Sequence, residues 1–382
     1  MQLYSDALRV RDEEKNPVDL KSLGWNSFYE GYCADDLYRD LTPARVTEEL
    51  KGFQRVRAAD GEYLAEIAGR VRHLAEDRDD LPAVGDWVGI APRPNEGRAR
   101  IEAIFPRRTK LSRKVAGRVT SEQIVAANID TVFVVSSLNH DLNVRRIERY
   151  LAIVWNSGAR PVILLNKADL CADAAALAAE VEFAAPGVAV HTMSAAESNG
   201  LGHIYSYLKP GETAALIGSS GVGKTTIINA LLAETLDGEH VAAASNQLRV
   251  QSVREGDDRG RHTTTSRQMI FLPSGGILID TPGMREIQLW DSEEGVDKAF
   301  EDIERLFANC RFRDCGHTGE RGCAVETAIL NGELDRSRFE NYRKLEAELN
   351  FQRRKNDPEY AREVKEKWKQ IHKAARKKGN RY

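Results

Sequence analysis

Long apolar runs are missing from this 382-residue chain. No stretch reaches the roughly eighteen consecutive apolar residues needed to cross a bilayer, so no membrane-spanning helix and no membrane partner are expected. The opening residues, MQLYSDALRVRDEEKNPVDLK, have neither a basic start nor an apolar core. A secretory leader is therefore not expected, and the cytoplasm is the expected location. Cysteine is scarce, with five residues in all, an odd number. Cys310, Cys315 and Cys323 fall close together, while Cys33 and Cys171 stand alone. That distribution argues against a disulfide framework and for a metal cluster. Internal repeats and low-complexity segments are also absent.

What remains is ordinary globular composition, 42% hydrophobic and 30% charged, in a chain long enough for two or three domains. Charge is unevenly placed. The segment 343–382 carries fourteen Lys/Arg against six Asp/Glu, or +8, in a chain whose net charge is −3. A basic tail on an acidic body suits a polyanion such as nucleic acid, and equally suits a solvated helix rich in lysine.

Residues 1–45 are polar and mixed, with aromatics at Trp25, Phe28, Tyr29, Tyr32 and Tyr38, and read as an extension that packs locally. From about 46 the pattern changes to short alternating runs such as GDWVGIAP and GRARIEAIFP between Gly, Pro and Asn. A small β-barrel fits, and a five-stranded OB-like barrel is the size that fills residues 46–115; a β-subdomain without a ligand is the alternative. PRRTKLSRKVAGR (106–118) is rich in basic residues and holds no acid, which reads as a linker or a phosphate contact. From about 128 apolar strands alternate with helices: DTVFVVSSL, a helix stopping at Gly158, RPVILLNKADL, an alanine-rich helix, VAVHTMSA and ETAALIG. Such a rhythm predicts a mostly parallel sheet with helices on both faces.

GSSGVGKT, Gly218 to Thr225, satisfies the G-x-x-x-x-G-K-[ST] pattern between a predicted strand and a predicted helix. Its glycines let the backbone N–H groups of Gly218, Ser219, Ser220, Gly221, Val222 and Gly223 turn inward around a phosphate, and the helix start, including Thr226, adds partial positive charge. Lys224 adds a full charge, and the Thr225 hydroxyl is placed to ligate Mg²⁺. GGILIDTPG supplies Asp280 as an outer-shell Mg²⁺ partner and the Gly283 N–H for a γ-phosphate. Between these motifs, GRHTTTS offers a threonine that would close on Mg²⁺ when the γ-phosphate is present. Thr264 is the choice within Thr263–Thr265, which the sequence leaves open.

Asn166-Lys167-Ala168-Asp169 ends a strand as a guanine-reading motif should. The Asp169 carboxylate can accept from guanine N1–H and N2–H, which adenine does not offer, and Lys167 would lie along the base. Ser194 and Ala195, ending the next strand, suit the guanine carbonyl. In most GTPases this motif follows the phosphate loop; here it precedes it. The expected domain is a GTPase with its elements in circularly permuted order. One part is missing: the position after Gly283, where a glutamine would orient water, is Met284. Slow hydrolysis stimulated by a partner is expected. His262 is the nearest catalytic substitute, and an exposed loop histidine is its alternative.

Cys310, Cys315, His317 and Cys323 follow a C-x₄-C-x-H-x₅-C spacing. Three thiolates and an imidazole are a closed tetrahedral set, predicting one structural zinc ion with no open catalytic position.

With the permuted order, GSSGVGKT, GRHTTT, DTPG and the cysteine–histidine segment together, the chain resembles the small ribosomal subunit biogenesis GTPase family, RsgA (YjeQ), over about residues 46–350. The resemblance implies an OB barrel at 46–115, a permuted GTPase domain at 120–290 and a zinc-binding domain at 295–350, followed by a basic helical tail at 351–382. It implies GTP hydrolysis stimulated by the 30S subunit, a role in late 30S maturation, and GTP/GDP, the 30S subunit and its rRNA as partners of a monomer. The extension 1–45 departs from the family pattern. Two rival readings stay open: a permuted GTPase acting on the large subunit or another ribonucleoprotein, and an RNA-binding module whose GTP site is only regulatory.

Overall fold

A computed structural model describes residues 18–115, 121–139, 142–233, 267–280, 293–366 and 369. They fall into two compact units, divided between Gln288 and Leu289.

The first unit is built on one continuous sheet. Its barrel strands are β1 (Thr42–Leu50), β2 (Phe53–Ala58), β3 (Gly61–Ile67), β4 (Trp87–Arg93) and β5 (Arg98–Ile104). They pair in the order β1-β2-β3-β5-β4, and β4 returns to β1, closing the barrel. Only β3 and β5 run parallel. This five-stranded closure is OB-like. Alternation along β2 turns Gln54, Val56 and Ala58 inward, and the core includes Val46, Val88, Ile90 and Ile101.

The segment read as a linker is instead half of a hairpin. β6 (Lys110–Val115) pairs antiparallel with β7 (Ser121–Ala127). Its basic side chains are engaged locally: Arg107 with Asp86, Arg108 with Asp130, Lys110 with Glu122, and Arg113 with Gln123. Composition suggested a free polycation, and neighbouring carboxylates absorb much of that charge.

The remaining strands are β8 (Thr131–Ser137), β9 (Arg160–Asn166), β10 (Ala189–Thr192), β11 (Thr213–Ile217), β12 (Gln268–Phe271) and β13 (Ile277–Asp280). Their order is β10-β9-β8-β11-β13-β12, all parallel except β12. All seven residues of β8 are buried, as expected for a strand covered on both faces. Each buried Val there contributes on the order of 1.5–3 kcal/mol. The helix Val144–Ser157 is capped by the Asn143 side chain on the Arg146 N–H and stops at Gly158 in the left-handed region. The chain builds outward from β8 through β9 to β10, then returns to the other side of β8 with β11. That reversal makes a crevice beyond the carboxyl ends of β8 and β11, where α/β sheets place ligands.

The barrel is joined to this sheet. Glu48 of β1 pairs with Gln268 of β12, and the Arg267 guanidinium meets the Glu49 carboxylate at 3.1 Å. Beside this seam Trp25, Tyr29, Tyr38, Trp87 and Phe105 form an aromatic cluster, so the described part of the extension is packed into the first unit. Arg45 lies fully buried within it. Its guanidinium donates to the carbonyls of Leu23, Gly85 (3.3 Å) and Asn128 (3.0 Å), tying extension, barrel and GTPase sheet together. Burial lowers the Arg45 pKa to about 10, still charged at neutral pH.

The second unit is helical: Glu293–Ala299, Glu301–Phe307, Ala324–Leu330 and Arg336–Asn356. Phe300, Ile303, Val325, Phe339 and Leu345 are buried in it. Arg338 bridges Asp302 at 2.7 Å and lies over the Phe300 ring. Among the described residues no helix is long and apolar enough to cross a membrane.

Candidate nucleotide and metal sites

The glycine loop follows β11 and leads into the helix Lys224–Ala233, whose Ile227, Ile228, Leu231 and Leu232 are buried against the sheet. Gly218 has φ +148°, and a Cβ there would lie 2.2 Å from the Val135 carbonyl oxygen of β8. Gly223 has φ +103°, and a Cβ there would lie 2.2 Å from Asn166 Nδ2. Two glycines of the motif are thus fixed by close approach as well as by backbone conformation.

The asparagine-lysine-aspartate motif meets this loop directly. Asn166 Nδ2 donates to the Val222 carbonyl at 2.9 Å, and Lys167 Nζ donates to the Gly221 carbonyl at 2.6 Å. On its other side Asn166 Oδ1 accepts from the Ala195 N–H at 3.0 Å. Ser194 Oγ donates to Asp169 Oδ1 at 2.5 Å. Lys167 takes up φ 64°, a left-handed turn that carries the chain from the end of β9 toward Asp169. Asn166, 98% buried, is therefore the joint between three loops from separate strands. Lys224 Nζ lies 2.7 Å from the carbonyls of both Gly218 and Ser219. Thr225 and Thr226 are exposed at the start of the helix, and Asp280 ends β13, the neighbour of β11, at the same edge of the sheet. A hydroxyl and a carboxylate at that edge are the hard oxygen donors that Mg²⁺ takes.

The second unit gathers the sulfur donors. The ligand atoms of Cys310, Cys315, His317 and Cys323 all lie within 4.8 Å of one another, so the group could hold a metal ion. Cys310 follows the helix Glu301–Phe307. Cys323 precedes Ala324–Leu330, where its Sγ accepts from the Glu326 N–H. The Ala324 N–H reaches Cys310 Sγ at 3.4 Å. Backbone N–H groups aimed at sulfur favour thiolates, the form that binds metal. His317 has φ 55° and stacks on Phe307, with centroids 4.2 Å apart. Nothing in the ligand spacing marked Glu320, yet it organises the loop. Hydrogen bonds from the Thr318 and Gly316 N–H groups hold its carboxyl at about 2.

Residues 104–290 match the family model described as RsgA GTPase. A small ribosomal subunit biogenesis GTPase RsgA of Methanosarcina acetivorans is 44% identical over 91% of this chain and 90% of its own length. The chain belongs to the RsgA GTPase family. An RsgA of the same description from Opitutus terrae is 42% identical over 94% of this chain and 97% of its own. Among solved structures, YjeQ from Thermotoga maritima superposes with a TM-score of 0.58 at 24% identity, covering 81% of this chain and 98% of that one. YloQ, described as a circularly permuted GTPase, gives 0.57 at 22%, covering 83% and 98%. These two share the fold, and the permuted order read from the motifs is the RsgA order.

Of the residues singled out in the sequence, His262, Thr264 and Gly283 lie outside the described residues. Asn166, Lys167, Asp169, Ser194, Ala195 and the loop 218–226 are brought to one crevice. Sequence reasoning missed Arg45, because an arginine in a strand carries no sign that its charge will be buried at a seam, and Arg267, whose partner Glu49 is remote in sequence.

Proposed function

We propose that this RsgA-family chain binds GTP in the crevice between Asn166–Asp169 and the glycine loop, hydrolyses it, and acts in maturation of the small ribosomal subunit. The observation that supports the reading is the double attachment of Asn166 to Val222 and Ala195, which joins the Asn-Lys-x-Asp motif to the glycine loop. The relatives' own description, small ribosomal subunit biogenesis GTPase, supports the subunit assignment.

In this reading the Asp169 carboxylate accepts from guanine N1–H and N2–H, with Ser194 holding that carboxylate in place. Lys167 flanks the base, and the Ser194–Ala195 loop meets the guanine carbonyl. Residues 218–226 cradle the phosphates, Lys224 turning from its loop carbonyls to the β- and γ-oxygens. Thr225 and Thr264 would hold Mg²⁺, with Asp280 in its outer shell and the Gly283 N–H on the γ-phosphate; the ion, when bound, neutralises developing charge. Met284 replaces the water-orienting glutamine, so unaided turnover is slow, and His262 is the candidate that takes over when the 30S subunit is bound. Hydrolysis relaxes the switch segments and releases the protein. Cys310, Cys315, His317 and Cys323 hold one zinc ion as a closed structural site. Barrel and basic tail contact rRNA phosphates, making binding steeply salt-dependent. The protein acts as a cytoplasmic monomer.

GTP turnover measured with purified 30S and 50S subunits tests this. Stimulation of at least about tenfold by 30S alone is expected. Stimulation by 50S alone would move the assignment to the large subunit. Bound GTP left intact in single-turnover reactions on 30S would leave a GTP-regulated binder.

A further inference from the structure

Within the second unit the chain between the first two metal-ligand positions reads Cys310-Arg-Phe-Arg-Asp-Cys315. Phe312 is 46% exposed, although it sits between two residues that converge on one centre. The segment is held on both sides. The Arg311 N–H donates to the Gly322 carbonyl at 3.0 Å, and the Cys315 N–H donates to the Phe312 carbonyl at 3.3 Å. Gly322 has φ +85°, and a Cβ there would press on the Arg311 stem at 2.9 Å. The Arg311 guanidinium sits 5.5 Å from the Phe312 ring centroid. An aromatic ring is thus presented to solvent on a loop whose backbone and flanking side chain are fixed.

The charges around it are one-sided. Arg311, Arg313 and Arg321 are exposed, and among the described residues none of the three has a carboxylate partner. The carboxylate of Glu320 is occupied by Gly316 and Thr318 of its own loop. Asp314 is the one acidic residue left among them. An open aromatic face with surplus guanidinium groups is a platform for an unpaired nucleotide: the ring stacks on the base, and the arginines take the phosphates on either side. A protein partner would ask for a wider apolar patch than one ring, and duplex RNA offers no base face to stack on.

We propose that Phe312 stacks an unpaired base of single-stranded RNA, with Arg311, Arg313 and Arg321 on the flanking phosphates. This deepens the proposed function by naming what the metal-bearing unit reads on the small subunit, and it rests on that reading for the RNA's identity.

The test uses the full-length, zinc-loaded chain and two probes: a short single-stranded RNA carrying 2-aminopurine, and purified 30S subunits. Wild-type protein is expected to quench the 2-aminopurine on binding. Phe312→Ala should weaken that binding about 5- to 100-fold, the range for one base–aromatic stack. Phe312→Trp should restore it to within about threefold, with zinc content and unaided GTP turnover unchanged in both variants. A Phe312→Ala protein that binds and quenches like wild type overturns the proposal. So does one that keeps the RNA probe and loses only 30S subunits, since the ring would then meet a ribosomal protein. Equal loss in the Ala and Trp variants overturns it as well, marking a packing role. Should 30S fail to stimulate wild-type turnover while the quench and its aromatic dependence persist, the subunit assignment falls and the stacking stands.

Discussion

Asn166 Nδ2 donates to the Val222 carbonyl across 56 positions of sequence, at 2.9 Å. The bond ties the end of β9 to the loop after β11, two strands separated in the sheet by β8. In the proposed function, nucleotide recognition depends on that fixed distance between the Asn-Lys-x-Asp motif and the glycine loop.

Gly223 sets the distance. Alanine there would place Cβ 2.2 Å from Asn166 Nδ2 on a backbone at φ +103°. Gly223→Ala is expected to weaken GDP binding by about 100-fold or more, the consequence of losing a buried hydrogen bond and distorting the loop together. Gly221→Ala is the control. Its φ is +79° with no atom within 4 Å of a Cβ, so only the backbone cost of about 1–2 kcal/mol applies. Titration calorimetry with GDP separates the two.

In the proposed site, Asp169 selects the base. Exchanging its carboxylate for an amide removes an acceptor for guanine and creates a donor that suits a carbonyl. Asp169→Asn should lower GDP affinity by about 2–4 kcal/mol and shift preference to xanthosine diphosphate, read by competition binding. Undiminished guanine preference would remove Asp169 from the base site.

Metal removal should act on one unit. The four candidate ligands lie within 4.8 Å of one another in a helical unit whose buried set is much smaller than that of the first unit. Chelation, or Cys310→Ser, is expected to abolish the high-temperature melting of that unit, while GDP affinity stays within about twofold. Calorimetric scans with and without chelator check this, alongside zinc content by atomic emission.

Arg45 is the stability test for the first unit. Methionine fills similar volume and removes the donor to the carbonyls of Leu23 and Asn128, while the Gly85 carbonyl keeps the Asn128 side-chain amide at 3.1 Å. Arg45→Met is expected to cost about 3–5 kcal/mol in urea unfolding, with the nucleotide site unchanged in the surviving fold.

The residues that converge at the candidate nucleotide and metal sites were legible in the sequence because each group rests on short spacing: a glycine loop between apolar runs, an Asn-Lys-x-Asp at a strand end, four soft donors in one segment. Parallel strands such as β8 and β11 were legible as unbroken apolar runs. β6 was not, because its basic composition masked the alternation by which Leu111 faces inward. The role of Trp25 and Tyr29 was hidden for a different reason. Aromatics in a polar stretch signal packing somewhere, and only the three-dimensional chain shows that Trp87 and Phe105 are the surface they cover.

The pairing of Glu48 with Gln268 also bears on how this chain can be divided. β12 has β13 on one side and borrows its other neighbour from β1. A fragment trimmed to begin after β5 would present that flank as a raw border of unmet amide and carbonyl groups, with Phe271 stripped of its aromatic covering. Such a fragment should self-associate, and the barrel doubles as the end-piece that keeps the GTPase sheet soluble.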